Sequence, residues 1–181
     1  MPDHVILAAG PSLADATYET RYAATRAVSR AIAAPLAVED MVVQAMPDTS
    51  PTKWHLAHVT WFFETFVLAR FVPGYRCFDA DYAFLFNSYY EGAGDRHARP
   101  ERGLITRPTV AEVLDYRDYV DAAMAGLLAE VPDNAEVAQL VELGINHEQQ
   151  HQELMLMDIL NLFSRNPLCP TYVAASAMPQ E

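Results

Sequence analysis

The 181-residue chain is 51% hydrophobic and 20% charged, a composition that excludes a disordered chain and suits one domain burying roughly 70% of its unfolded surface. Twelve Lys and Arg against 24 Asp and Glu leave a formal net charge of −12, which excludes partners that need a basic face: duplex nucleic acid and an anionic membrane surface. No uncharged apolar run approaches the ~20 residues of a membrane helix, and the opening MPDHVILAAG lacks the basic start of a signal peptide. Cys77 and Cys169 form no CxxC pair, so free thiols and a reducing, cytoplasmic setting are expected.

Periodicity predicts an all-α chain of four long helices, with no alternating strand pattern of useful length. The first is expected from Ser12, a candidate N-cap, to Ala34, where Pro35 stops it. A short helical piece is expected near Glu39 to Met46. The second long helix starts at Ser50-Pro51, with Pro51 suited to its first position, and ends at Pro73-Gly74. Its run of Trp54, Leu56, Val59, Trp61, Phe62, Phe63, Phe66 and Leu68 is apolar around most of the circumference, so it is buried on more than one side. The third opens on the capping box Thr109-x-x-Glu112 and runs to Glu130. The fourth opens on Asp133-x-x-Glu136 and runs to Ser164. Together they read as a single four-helix bundle domain with its core at about residues 12–170.

Between the second and third helices lie 36 residues, Pro73 to Pro108, a connection long enough to cross the bundle and set those two helices parallel. Within twelve positions it carries Arg96, His97, Arg99, Arg102 and Arg107. In so acidic a chain these read either as a solvated loop or as a carboxylate-binding rim, because guanidinium pairs bidentately with carboxylate. Tyr82, Phe84, Phe86, Tyr89 and Tyr90 read as the connection's own packing.

The chemistry-bearing pattern is HEQQH. His147 and His151 stand four residues apart, so both rings project from one helix face, one turn apart. That face also carries Leu140, Gly144, Leu154 and Asp158, and reads as the core-facing stripe. Two buried imidazoles either bond to neighbouring carbonyls and carboxylates or share a divalent metal, for which neutral imidazole is the commonest ligand. A third ligand would come from the second helix, where His55 and His58 are equal candidates, or from a carboxylate such as Asp158 or Glu64. Three imidazoles with open positions suit Fe(II), Ni(II), Zn(II) or Cu(II). HEQQH also matches the zinc-peptidase pattern HExxH, but Leu154 and Met157 stand where an extended motif needs glycine and histidine, and no strand is available to hold a peptide.

The segments PTKWHLAHVTWFFETF, LFNSYYEGAGDRHARPERGLITRPT and NHEQQHQELMLMDIL, in this order, resemble the N-terminal DinB-like domain of the ergothioneine-biosynthesis sulfoxide synthases, over about residues 15 to 172. The resemblance implies a DinB-like four-helix bundle holding a non-haem Fe(II) on three histidines, here His58, His147 and His151, with Zn(II) or Ni(II) as possible occupants of the isolated domain. It implies an oxidoreductase that uses O2 to join γ-glutamylcysteine or cysteine to trimethylhistidine. Gln150 would lie near the trimethylhistidine imidazole, and Arg99 or Arg102 would contact the sulfur donor. The family's second, formylglycine-generating-enzyme-like domain has no counterpart after Tyr172, so the catalytic tyrosine it contributes is expected from elsewhere: a further domain, a separate subunit, or Tyr89 or Tyr90. The alternative is a standalone metal-binding module, for thiols or other small molecules, without that activity.

Overall fold

The structure, a computed structural model, describes residues 17–88, 94–130 and 134–173. Ser12, Asp133, Tyr89, Tyr90 and His4 lie outside the described residues. Helix α1 spans Tyr18–Ala33, and its N-cap is Thr17, whose hydroxyl accepts the Thr20 amide at 3.2 Å. Helix α2 spans Thr52–Phe63 and continues through a π-helical turn, Glu64–Leu68, into the short α3, Ala69–Phe71. Pro51 takes the cap of α2, one residue before the expected position. Helix α4 covers Tyr82–Phe86, and a 3-10 turn covers Arg99–Leu104. Helix α5 spans Val110–Glu130 and helix α6 spans Ala135–Ser164. No strand occurs among the described residues.

The two caps of the second half form by different residues. Thr109 and Glu112 close a reciprocal capping box, the Thr109 amide donating to Glu112 at 2.6 Å and the Glu112 amide to Thr109 at 3.2 Å. On α6 the cap is Asn134, whose side-chain oxygen accepts the Glu136 and Val137 amides.

Cross-links between helices fix their directions. Arg21 meets Glu142 and Ser29 meets Glu148, so α1 and α6 run parallel. His58 meets His147 and His55 meets Asp158, so α2 opposes α6. Lys53 donates to the carbonyls of Ile105 and Pro108, ahead of α5, while Thr60 meets Arg117 within it. Helices α2 and α5 are therefore parallel, as the long crossover requires. α2 is the central helix: every residue of Thr52–Phe63 is buried, because α5 and α6 flank it and α4 covers it.

Two expectations are corrected. Glu39 to Met46 forms turns rather than a helix. Its backbone is engaged elsewhere: the Asp40 carboxylate accepts the Ala37 amide at 2.9 Å, and the Met41 carbonyl accepts Lys53 N–H at 2.9 Å. The core stripe of α6 is also not the histidine face. It runs Val137, Val141, Gly144, Ile145, Glu148, Gln152, Met155, Ile159, Phe163, and of the expected stripe only Gly144 belongs to it. His147 and His151 stand beside the stripe, half-buried, where the bundle opens to a cavity.

The centre of the bundle is polar. Glu148 is fully buried and accepts from Ser29 at 2.6 Å, Arg26 at 3.0 Å and Arg117 at 3.1 Å. Both arginines also donate to the Thr60 hydroxyl, and Arg26 pairs with Asp121 at 2.7 Å. All four long helices meet in this network. Burial alone would raise the Glu148 carboxyl, but the two guanidinium groups and the Ser29 hydroxyl hold it down at about 2.

Candidate metal centre

One ring nitrogen from each of His58, His147 and His151 lies within 4.8 Å of the other two, a group that could hold a metal ion. The α2 register delivers His58 and the i, i+4 spacing on α6 delivers the other two. Phe86, at the end of α4, accepts a hydrogen bond from His58 Nδ1 at 2.6 Å. That bond places the His58 proton on Nδ1 and leaves Nε2 with a bare lone pair. His58 Nε2 then faces His147 Nε2 at 3.2 Å. Two nitrogens each ~2.1 Å from one ion stand ~3.0 Å apart in an octahedral and ~3.4 Å apart in a tetrahedral set, so this spacing fits a shared metal. His147 Nδ1 is buried with no hydrogen-bond partner among the described residues, so no bond there fixes which nitrogen of this ring carries the proton.

Electrostatics prepare the same rings to ligate. Burial pushes His147 down to about 4. Burial, and then the neighbouring His147, holds His58 well below the usual histidine range. Burial, and then the positive ends of His58, His55, His147 and Arg102, lowers His151. At neutral pH all three rings are neutral, the form that ligates.

His55 is not a member of the group. Its Nε2 lies 3.0 Å from Asp158 Oδ2 and its Nδ1 lies 2.8 Å from His151 Nδ1. The carboxylates weighed as ligands are engaged elsewhere. Asp158 Oδ2 accepts from Ser50 N–H at 2.9 Å as well as meeting His55. Glu64 accepts from the Tyr75 and Tyr116 hydroxyls and from the Phe78 amide. Glu148 of HEQQH points the opposite way, into the bundle centre, so it cannot serve the histidines as a peptidase base would.

The histidines open onto a cavity of about 310 Å³ that Arg99, Arg102 and Gln150 also line. Arg102 is buried, lies over the Trp54 ring at 3.3 Å, and donates to the hydroxyls of Ser50 and Ser88. Trp54 in turn stacks on His58 at 4.6 Å. Arg99 stands exposed at the rim and reaches the Asp48 carbonyl, and Gln150 is exposed. Arg96 and His97 line a neighbouring cavity of about 220 Å³ that shares Ser88, Arg99 and Arg102 with the first. Arg107 is on the surface, so the basic run divides between the cavity and solvent. Tyr82 and Phe86 are buried, whereas Phe84 is exposed against His97.

Sequence reasoning missed Ser50 and Ser88 as partners of this site, and weighed His55 and Asp158 as ligands rather than as the hydrogen-bonded neighbours of His151 that they are. His55 carried its signal in its place beside His58 in WHLAH, and Asp158 in its helical spacing from His147 and His151.

Among the described residues, α2 and α6 of an all-helical bundle bring three imidazoles that could hold a metal ion to one open cavity. The chain is a member of the DinB superfamily, whose family model matches residues 21–155, a span that includes His58, His147 and His151. No curated protein matches the chain. Among the described residues no helix is long and apolar enough to cross a membrane.

Proposed function

We propose that this chain is the metal-binding half of an iron(II)-dependent sulfoxide synthase, joining a cysteine-type thiol to trimethylhistidine with O2 in ergothioneine biosynthesis. The observation that carries the reading is the trihistidine group opening onto a cavity that also presents Arg99, Arg102 and Gln150. DinB superfamily membership is compatible with it, and the three segments that resemble the sulfoxide synthases support it. His58, His147 and His151 would hold the iron, which supplies a site for thiol binding and O2 chemistry when bound.

The chain's own residues would do the rest. Arg102, fixed by Trp54, Ser50 and Ser88, orients a substrate carboxylate without having to pay for ordering its own side chain. Arg99 adds charge at the rim, and Gln150, one residue before His151, faces the cavity with both a donor and an acceptor for an imidazole. A partner domain or subunit would close the open side and bring the proton-donating tyrosine.

The test is anaerobic reconstitution with Fe(II), followed by a sulfoxide assay with trimethylhistidine and either γ-glutamylcysteine or cysteine, with and without a formylglycine-generating-enzyme-like partner domain. Product only in the presence of the partner supports the reading. Stoichiometric iron binding with no product in either format favours a DinB metal-binding module for small molecules instead.

A further inference from the structure

We propose that Asp158 and His55 are positioning residues whose hydrogen-bonded chain fixes the tautomer of His151, so that His151 presents Nε2 to the metal. The inference rests on the trihistidine metal reading and goes beyond it, because it assigns a job to two residues that are not ligands.

The chain can be read one atom at a time. Asp158 Oδ2 is an acceptor only, and it already takes the Ser50 amide at 2.9 Å, which pins the carboxylate to the start of α2. His55 Nε2, 3.0 Å away, must therefore carry the proton. In a neutral ring that leaves His55 Nδ1 as an acceptor. Among the described residues the ring atom set to donate to it is His151 Nδ1, at 2.8 Å. With its proton on Nδ1, His151 has its lone pair on Nε2. His58 reaches the same state by a different route, through the Phe86 carbonyl. The site thus sets the tautomers of two ligands independently, one with a backbone carbonyl and one with a carboxylate relayed through an imidazole. His55 is 3% exposed, and both of its nitrogens are engaged within the protein. Such outer partners orient the ligating ring and raise its basicity, and losing them costs 10–100-fold in metal affinity.

The experiment uses the full chain, Co(II) and Zn(II) as probes, and two readouts. Anaerobic Co(II) titration gives affinity. Long-range 15N–1H correlation of the Zn(II)-loaded chain reports which nitrogen of His151 is protonated and which is coordinated. Wild type is expected to show His151 protonated at Nδ1 and coordinated through Nε2. Asp158→Ala and His55→Phe should each weaken Co(II) binding 10–100-fold and blur the His151 nitrogen signature into a mixture of tautomers. Asp158→Asn should retain the tautomer, since its amide oxygen still accepts from His55, and lose less affinity. Asp158→Glu should recover part of what alanine loses. Thermal unfolding of the apo variants separates folding from binding, and should Asp158→Ala fail to fold, the wild-type spectrum and Asp158→Asn still decide. Coordination of wild-type His151 through Nδ1, or affinities for folded Asp158→Ala and His55→Phe within about 3-fold of wild type, would overturn the inference while leaving the trihistidine site standing. A wild-type chain that binds neither ion would overturn both.

Discussion

At the scale of single residues, the histidines of HEQQH and the glutamate between them do opposite things. His147 and His151 face the cavity, while Glu148, one step round the helix, is a buried anion between Arg26 and Arg117. Replacing Glu148 with Gln would strip the buried Arg117 of its paired carboxylate and leave Arg26 with Asp121 alone. Breaking a buried pair in this way costs ~3–5 kcal/mol, so urea denaturation of Glu148→Gln should show a midpoint shifted far down or no folded baseline. A loss under ~1 kcal/mol would show that the network is hydrated and not holding the helices together. His147→Ala should abolish stoichiometric metal binding by calorimetry, whereas His97→Ala, altering a half-buried ring outside the trihistidine group whose Nδ1 meets the Ala98 carbonyl, should leave it near wild type. The histidine spacing was legible because four residues on a helix are one turn. The roles of His55 and Asp158 were not, because a donor–acceptor chain between α2 and α6 depends on a register that no single helix encodes.

At the scale of elements, the close approach of α2 and α6 is what brings the three histidines together. Gly144 permits it: a Cβ there would stand 2.5 Å from Phe63 Cε1 and 2.9 Å from Phe62 Cε1. These are rigid ring atoms in the centre of the bundle, so they cannot swing aside. Gly144→Ala gains roughly 1 kcal/mol in helix propensity but should lose ~1–3 kcal/mol to overpacking. The Phe62 ring lies 5.1 Å from that of His147, so pushing it should also loosen the metal site. We expect a lowered Tm together with weaker metal binding, checked by thermal unfolding and Co(II) titration of the same sample; a Tm at or above wild type would show that the helices re-space freely. The capping box at Thr109 and the all-round apolar α2 were legible from local chemistry and composition. The missing helix at Glu39 to Met46 was not, since Gln44 spends its side chain bridging to Arg99 and Gly103 across the fold. The true core stripe of α6 was hidden for a related reason. Its polar members Glu148 and Gln152 are buried because α1 brings Arg26, Ser29 and Thr25, and α5 brings Arg117, to meet them.

For the whole molecule, burial of the cavity histidines and of Glu148 makes folding sensitive to acid in a definite direction. The unfolded chain takes up protons on histidine near pH 6.5 and on glutamate near 4.3. In the folded chain His147 titrates near 4, with His55, His58 and His151 also lowered, and Glu148 near 2. Below pH 6.5 the unfolded state therefore binds more protons than the folded one, and stability falls as pH falls. The histidine contribution is fully present above 6.5 and is lost as pH drops through the folded values, His147's by about 4. The Glu148 contribution is present above ~4.3 and is lost towards 2. The net charge of −12 pulls the other way, because protonating surface carboxylates relieves their mutual repulsion. That repulsion acts between exposed groups and is screened by salt, whereas the buried groups are not. In about 0.5 M salt the metal-free chain should thus hold a level Tm from pH 8 to 7 and lose it progressively from 6.5 to 4. His147→Ala should flatten that slope, and thermal unfolding by circular dichroism across pH 8 to 4 measures both. A Tm unchanged between pH 7 and 4.5 would mean that the histidines are hydrated in the folded state, and so are not held as the neutral, metal-ready set that the bundle places around its cavity.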